Sequence, residues 1–298
     1  MSHFVEYVVA GLSLGCIYAL IAMGFVIVFK ATNVVNFAHA SVLMLGAYLV
    51  AIWHDTLGFV GAVVAAAAAC ALAAALVDAV FVRTLRKRQG GLDALAILTI
   101  GVNVLLATEL TRRVGNDILQ SGAPWGAETA RFLGITVPQT RIAAAVVAIA
   151  LMIAFWAAFR YSDWGIAMRA TAADPATAAL MGIRLSRVAI GAWAVSGVLA
   201  AVAGAFFTSF PASGVTTATY LLALTAIPAA VLGGLDSTAG AVVGGLVVGV
   251  AITFTAGYQD ELSFLGRGLS EVIPYVVLLL VLLWRPWGLF GSREITRV

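Results

Sequence analysis

The chain has 298 residues, of which 62% are hydrophobic and 10% are charged, and its formal net charge is +3. Soluble domains contain about 45–50% apolar and about 25% charged residues, so this composition excludes a soluble enzyme and also a disordered chain. The basic residues occur in short clusters between long apolar runs, which is typical of a membrane protein and not of a nucleic-acid binder. The sequence therefore predicts an all-α, polytopic membrane helical bundle.

Apolar runs of about 20 residues are long enough to cross a bilayer as helices. About nine such spans are predicted, some broken or short, near residues 5–28, 33–53, 58–81, 93–112, 141–159, 187–209, 219–235, 239–256 and 270–285. The loops on one side of these spans hold most of the basic residues, which indicates the cytoplasmic side. Because the number of spans is odd, we expect the N-terminus outside and the C-terminus in the cytoplasm. We expect residues 1–298 to form a single transmembrane domain.

Small residues recur at a four-residue spacing in several predicted spans. These are Gly11/Gly15, Gly240/Gly244, Gly245/Gly249 and the series Ser196, Ala200 and Gly204. Small residues on one face let helix backbones approach closely in a membrane. Two interpretations stay open, tight packing within this chain or a face for a second membrane subunit.

Two predicted spans are interrupted. The second opens with the polar run 32–39, and the seventh contains Pro228 and ends in Gly233 and Gly234. Irregular backbone at membrane depth is tolerated only where it is buried in protein or lines a water-filled cavity. The two interrupted spans follow spans of opposite direction, which is the arrangement of an inverted repeat. We keep the inverted repeat as a hypothesis.

Catalytic and metal-binding patterns are missing from the sequence. The histidines His3, His39 and His54 do not have the spacing of metal ligands, and no serine lies in a GxSxG motif. Neither Lys30 nor Lys87 belongs to a Walker A loop, so we expect no cofactor, no metal and no ATP hydrolysis in this chain. The chain is therefore not predicted to be an enzyme, and any ATP hydrolysis that drives transport must take place on another polypeptide.

Ionisable residues within the predicted spans are few. Asp78 and Glu109 are expected within about a turn of span ends, and Glu109 has Arg113 four residues later as a partner. This pattern offers no buried proton relay, which weighs against a proton-driven carrier. Asn103 lies in the middle of a span, where we expect it to form an interhelical hydrogen bond.

The predicted cytoplasmic loop 160–186 contains a short helix with its own end signals. Asp174 is a good N-cap, Pro175 suits the first helical position, and Gly182 suits a C-cap. These signals delimit about seven residues, which are too few to be stable alone in water. Leu180 and Met181 give this helix an apolar end. From the residues alone, the loop is either a docking element for a cytoplasmic partner or an elbow between two spans.

The chain resembles the LIV-type permeases, the membrane subunits of branched-chain amino acid ABC importers, and among them the H-type subunit. The likeness extends over almost the whole chain. Its motifs are Gly15–Gly24, Asn36–His39 with Gly46–Tyr48, Gly165–Ala170, Asp174 with Leu180–Ile183, Ala229–Gly234 with Gly240, and Arg285–Gly291. One departure is Ala40, where the family usually has glycine. The methyl group of Ala40 either narrows the transport path or leaves it unaffected.

The resemblance implies a permease of an ATP-driven importer in a bacterial inner membrane, for branched-chain amino acids or related small polar solutes. It implies a second LIV-type permease that shares the translocation path, two ATP-binding subunits that hold ATP and Mg²⁺, and an extracytoplasmic solute-binding protein. The loop 160–186 then becomes the coupling helix that docks on one ATPase. The residues implied in this coupling are Arg169, Asp174, Pro175, Leu180, Met181 and Gly182.

The resemblance also implies candidates for the translocation path. These are Asn36, His39, Ala40, Pro228, Gly233 and Gly234. For Asn36 and His39 a second interpretation stays open, in which they hydrogen-bond the broken helix to its neighbours. The alternative function is a stand-alone secondary carrier or channel for small solutes, which needs an ion or proton site that the sequence does not show.

Overall fold

The computed structural model describes residues 2–125, 128–132, 135–209, 214–217, 219–261 and 268–291. Their helices are α1 (Ser2–Thr32), α2 (His39–Leu76), α3 (Arg83–Lys87), α4 (Leu92–Val114), α5 (Gln139–Tyr161), α6 (Asp163–Ala173), α7 (Pro175–Leu180), α8 (Leu185–Ser209), α9 (Thr219–Leu224), α10 (Ile227–Gly233), α11 (Thr238–Gly257) and α12 (Leu269–Trp284). A π-helical segment, Val77–Val82, joins α2 to α3. Strands β1 (Thr129–Phe132) and β2 (Ile135–Pro138) pair antiparallel. The prediction of an all-α polytopic bundle is confirmed.

Six helices of the described residues are long and apolar enough to cross a membrane. They are α1, α2 with its continuation to Lys87, α4, α5, α8 and α11. The helical run from His39 to Lys87 has 49 residues, more than twice the length that a bilayer requires. Gly58 breaks it with φ 68° and ψ 166°, so it contains both the second and the third predicted spans. Helix α12, with 16 residues, corresponds to the ninth predicted span.

Both predicted interruptions are present. Residues 33–38 are non-helical, and Asn33 there has a positive φ of 52°. The seventh predicted span consists of α9 and α10, helices of 6 and 7 residues joined by a turn at Thr225 and Ala226. The inverted repeat, the orientation of the termini and the single domain stay predictions. Arg267 and the C-terminal residues 292–298, whose basic side chains contribute to the predicted orientation, lie outside the described residues.

The helix that contains Asp78 extends past the end of its predicted span, and the place of Asp78 relative to the span end stays a prediction. The apolar run ends near residue 81, but the helix continues to Lys87 and Asp78 is 3% exposed. Hydropathy falls at Arg83 and Arg86, and yet arginine is a good helix former. The helix therefore extends beyond the apolar run that marked the predicted span.

The described residues divide into two compact units. The first is drawn from Met1–Val26, Trp125–Ala148 and Leu224–Val298, and the second from Ile27–Pro124 and Ile149–Ala223. In the first unit α10, α11 and α12 pack together. Helix α1 lies against α11 there, and the glycines of the two helices face each other's backbones.

The second unit is built on the pair α2 and α8. Its core contains Trp193, Val28 and Leu95 in one cluster of buried side chains. A second cluster lies around Met44 and Leu110.

The small-residue motifs pack inside the chain. A Cβ placed on Gly11 or Gly15 would lie 2.8 Å from a backbone Cα of α11. A Cβ on Gly204 would lie 2.5 Å from the carbonyl oxygen of Leu43 on α2, and Gly240 and Gly244 face the backbone of α10. Such contacts are possible only without a side chain. They confirm the first of the two interpretations, tight packing within this chain.

Candidate functional site

The non-helical segment 33–38 is held in place by side chains of α4. The hydroxyl oxygen of Thr99 accepts a hydrogen bond from the backbone N–H of Phe37 at 3.3 Å. One turn further along α4, Oδ1 of Asn103 accepts from the backbone N–H of Ser41 at 3.2 Å. These bonds satisfy backbone groups that the interrupted helix leaves without helical partners. The interhelical hydrogen bond of Asn103 is confirmed, whereas the role of Thr99 was not predicted although it lies four residues before Asn103.

Three predicted path residues lie at the start of α2 and are buried. Asn36, His39 and Ala40 are 1%, 1% and 0% exposed. The hydroxyl of Ser196 on α8 lies 2.9 Å from Nδ1 of His39, so His39 is hydrogen-bonded to a neighbouring helix. Oδ1 of Asn36 is buried and accepts no hydrogen bond from the residues that the structure describes. Contact of these three residues with a solute stays a prediction.

The other three path candidates are buried in the first unit around α10. Pro228 lies in the first turn of α10, where its missing N–H would have no helical partner anyway. Gly233 is the last residue of α10, and Gly234 follows it with φ 104°. Pro228 thus lies in the first turn of one short helix and Gly233 and Gly234 at its other end, and their contact with a solute also stays a prediction.

The C-terminal segment 285–291 packs on the end of α10. The backbone N–H groups of Leu289 and Phe290 donate to the carbonyls of Leu232 and Gly233, at 2.8 and 3.0 Å. Two of the stretches that carry the family resemblance, distant in sequence, therefore meet in the fold. The contact is close because a Cβ on Gly234 would lie 2.6 Å from the backbone nitrogen of Gly291.

Helix α7 begins where the sequence predicts. One oxygen of the Asp174 carboxylate accepts from the backbone N–H groups of Ala176 and Thr177, at 2.9 and 3.3 Å. The other oxygen accepts from the hydroxyl of Thr177 at 2.5 Å. These hydrogen bonds hold the pKa of Asp174 below its ordinary value. The bond from the hydroxyl of Thr177 has the largest effect, and the two backbone N–H groups add to it. Pro175 occupies the first helical position, as predicted.

The other end of α7 is closed by a Schellman motif. Gly182 has φ 86°, and its N–H donates to the carbonyl of Ala179 while the N–H of Ile183 donates to that of Ala178, both at 3.0 Å. Leu180 and Met181, just before this glycine, are 88% and 79% exposed. The loop therefore presents an apolar tip on a helix that is hydrogen-bonded at both ends.

Helix α6 precedes α7 and was not predicted. Its signal is Ser162, whose hydroxyl accepts from the N–H of Gly165 at 3.0 Å as an N-cap. Arg169 on α6 donates to the carbonyls of Phe159 and Arg160, the second at 3.3 Å, and its guanidinium lies 5.4 Å from the Phe159 ring. Arg169 therefore stabilises the C-terminal end of α5, a role that sequence reasoning missed. Its contact with an ATPase stays a prediction.

Six membrane-length helices, two interrupted segments and the exposed helix α7 between two spans define a multispanning helical membrane protein. Residues 7–282 match the sequence model of the family described as "Branched-chain amino acid transport system / permease component". The chain belongs to this family. It is a membrane permease subunit of an ABC importer, and the alternative of a stand-alone carrier or channel is not favoured.

Relatives along the whole chain agree with this assignment. The chain is 30% identical to the high-affinity branched-chain amino acid transport system permease LivH of Escherichia coli K12, over 99% of this chain and 98% of LivH. It is 29% identical to the corresponding protein BraD of Pseudomonas aeruginosa, with the same coverage. The ribose import permease RbsC of Bacillus subtilis is 30% identical over 57% of this chain and 52% of its own length. No solved structure matches the chain.

Proposed function

We propose that the chain is the permease of an ATP-driven importer for branched-chain amino acids or related small polar solutes. It resides in the inner membrane, with its N-terminus outside and its C-terminus in the cytoplasm. It forms the translocation path with a second LIV-type permease and receives solute from an extracytoplasmic binding protein. ATP and Mg²⁺ bind to two separate ATP-binding subunits. The named relatives and the charge distribution of the loops support this proposal.

The observation that carries the coupling role is the apolar tip of α7. Leu180 and Met181 are exposed on a short helix between α5 and α8, outside the membrane-length helices. Two large apolar side chains in water are unfavourable unless a partner covers them. A helix of six residues is not stable on its own in water, and the caps at Asp174 and Gly182 supply only part of the stabilisation that it needs. We infer that this tip docks in a groove on an ATP-binding subunit.

The experiment is uptake by the full complex in proteoliposomes, with this chain carrying Leu180→Asp or Met181→Asp. We expect both variants to insert normally and to lose ATP-dependent leucine uptake, because a carboxylate cannot be buried unpaired in an apolar contact. Ala176→Asp is the matched control, since it adds the same charge to the exposed first turn of α7. Normal uptake by both tip variants would exclude the docking role.

A further inference from the structure

A groove beside α4 is lined by several residues that carry hydroxyl groups. It has a volume of about 400 Å³ and lies in the second unit between α4 and the residues Thr217, Tyr220 and Leu221. Its polar lining residues are Thr108, Thr111, Thr217 and Tyr220, which carry hydroxyls, together with Asn103. None of these residues belongs to the path that the sequence predicts.

The groove hydroxyls differ from those of Thr208 and Thr255, two threonines of the membrane-length helices. Thr208 and Thr255 donate to the carbonyls four residues earlier in their own helices, at 2.9 and 2.8 Å. A threonine in an apolar helix is expected to bond in this way, because an unpaired hydroxyl is costly away from water. Thr108 and Thr111, by contrast, make no side-chain hydrogen bond to any residue that the structure describes, and the same holds for Thr217 and Tyr220. Their hydroxyls are therefore available to water or to a solute.

The lining of the groove carries no charge. The charged residues near this end of α4 pair with one another, since Glu109 contacts Arg112 at 2.9 Å and Arg113 at 2.7 Å, as expected for Arg113. The remaining lining is aliphatic, from Val104, Ala107 and Leu221. Hydroxyls on an aliphatic wall suit a small solute without net charge that has hydrogen-bonding groups and an apolar portion.

Asn103 connects the groove with the interrupted segment. Its Oδ1 accepts from the N–H of Ser41, in the first turn of α2, while the residue also lines the groove. The groove thus borders on the backbone that the sequence marks as part of a transport path. A crevice that holds a lipid chain needs neither hydroxyl groups nor a place beside this segment. Both features therefore favour a polar ligand over lipid.

We propose that this groove binds the solute in transit, through the hydroxyls of Thr108, Thr111 and Tyr220. The proposal rests on the proposed function and deepens it by naming a solute-binding site and its ligand class. The ligand is a small solute of zero net charge, zwitterionic or neutral, with an aliphatic part. Hydrogen bonds to the hydroxyls orient its polar end, and the aliphatic wall receives the rest.

The first test removes single hydroxyl groups and keeps the size and shape of the side chains. Thr111→Val and Tyr220→Phe are introduced separately into the full importer in proteoliposomes, and the KM for leucine is measured. Each lost hydrogen bond is expected to raise the KM about fivefold. Thr255→Val, which removes a hydroxyl bonded within its own helix and outside the groove, is expected to leave the KM unchanged.

The second test asks whether the groove contains water, and it needs no transport activity. In a background with Cys16→Ala and Cys70→Ala, Thr108→Cys and Leu105→Cys are treated with a charged thiol reagent in membranes opened to both sides. Leu105 is 74% exposed on the same helix but does not line the groove. We expect fast labelling of Thr108→Cys, slowed by leucine, and slow labelling of Leu105→Cys, because thiolates form in water and not in lipid.

The outcomes separate this proposal from the proposed function. No leucine uptake by the wild-type complex would overturn leucine as the substrate of the proposed function. Normal KM values in both groove variants, in a wild-type complex that does transport leucine, would overturn the groove alone. Equally slow labelling of both cysteine variants would mean that lipid or a neighbouring subunit fills the groove, and would also overturn it.

Discussion

The hydroxyl oxygen of Ser196 lies 2.9 Å from Nδ1 of His39. This contact joins the middle of α8 to the first residue of α2, directly after the non-helical segment. Both residues are 1% exposed. Because the N-cap residue Ala38 has no side chain that can cap α2, the start of this helix is held by its neighbours, through Ser196 of α8 and Asn103 of α4.

Ser196→Ala tests this contact. Loss of the hydrogen bond is expected to lower the free energy of unfolding by about 1 kcal/mol, measured by thermal unfolding of the purified chain in mild detergent. Ser186→Ala, on the same helix but away from His39, is expected to leave the unfolding temperature unchanged. Equal behaviour of the two variants would show that the Ser196 contact does not stabilise the fold.

The packing of α2 on α8 depends on Gly46. A Cβ at this position would lie 2.8 Å from the Cβ of Ala201 and closer still to its backbone. Gly46→Ala is therefore expected to lower the free energy of unfolding by about 1–3 kcal/mol, through separation of the two helices. Thermal unfolding in detergent measures the change.

Gly101→Ala is the matched control for Gly46→Ala. Gly101 also lies inside a membrane-length helix, α4, but a Cβ there would meet no atom within 4 Å. Alanine is favoured over glycine in a helix by about 0.5–1 kcal/mol, so this variant is expected to be as stable as the parent or more stable. A Gly46→Ala variant as stable as Gly101→Ala would contradict the close approach of α2 and α8.

The sequence predicts the features that local chemistry determines. Asp174, Pro175 and Gly182 locate α7 almost to the residue, because capping depends on a few neighbouring groups. The partnership of Glu109 with Arg113 follows from the helical repeat. The continuation of α2 past Asp78 does not follow, because hydropathy records where the apolar run ends and not where the helix does.

Tertiary contacts are the part that the sequence leaves undetermined. From the sequence, Arg169 was a candidate for contact with an ATPase. The structure shows in addition that it donates hydrogen bonds to the end of α5, which is possible only because α6 folds back on α5. The groove of Thr108 and Thr111 was missed for the same reason. Hydroxyls in an apolar span are ambiguous, since only the fold shows whether they bond to their own helix or face a cavity.

Arg169→Glu separates the structural role of Arg169 from a docking role. Reversing the charge at the last carbonyls of α5 is expected to lower the free energy of unfolding of the isolated chain by about 1–2 kcal/mol. Arg169→Lys is expected to recover part of this loss, because an ammonium still donates to a carbonyl. Thermal unfolding without any ATPase gives the structural readout.

Arg187→Glu is the control for Arg169→Glu, since it makes the same charge change in an exposed residue near the start of α8. We expect it to leave the unfolding temperature of the isolated chain unchanged. Unaltered stability of Arg169→Glu, with less ATPase recovered on co-purification, would assign Arg169 to docking instead of to the end of α5.

Lowering the pH is expected to increase the mobility of the apolar tip of α7, because Asp174 becomes protonated and its cap is lost. Because hydrogen bonds from Thr177 and Ala176 lower the pKa of this carboxyl, its cap is fully present above the ordinary value of 3.8. The cap is lost as the pH falls through the lowered pKa. A nitroxide attached to Met181→Cys, in the background without Cys16 and Cys70, should therefore keep a constant mobility until the pH passes below 3.8 and then become more mobile.

Asp174→Asn isolates this titration from general acid unfolding. Asparagine caps a helix about as well as aspartate but does not titrate, so the nitroxide should have the same mobility as with Asp174 at neutral pH and lack the transition assigned to Asp174. The difference between the two mobility curves then measures the protonation of Asp174 alone. A transition centred above pH 3.8, or one of the same midpoint in both proteins, would show that the carboxylate does not hold the tip of α7.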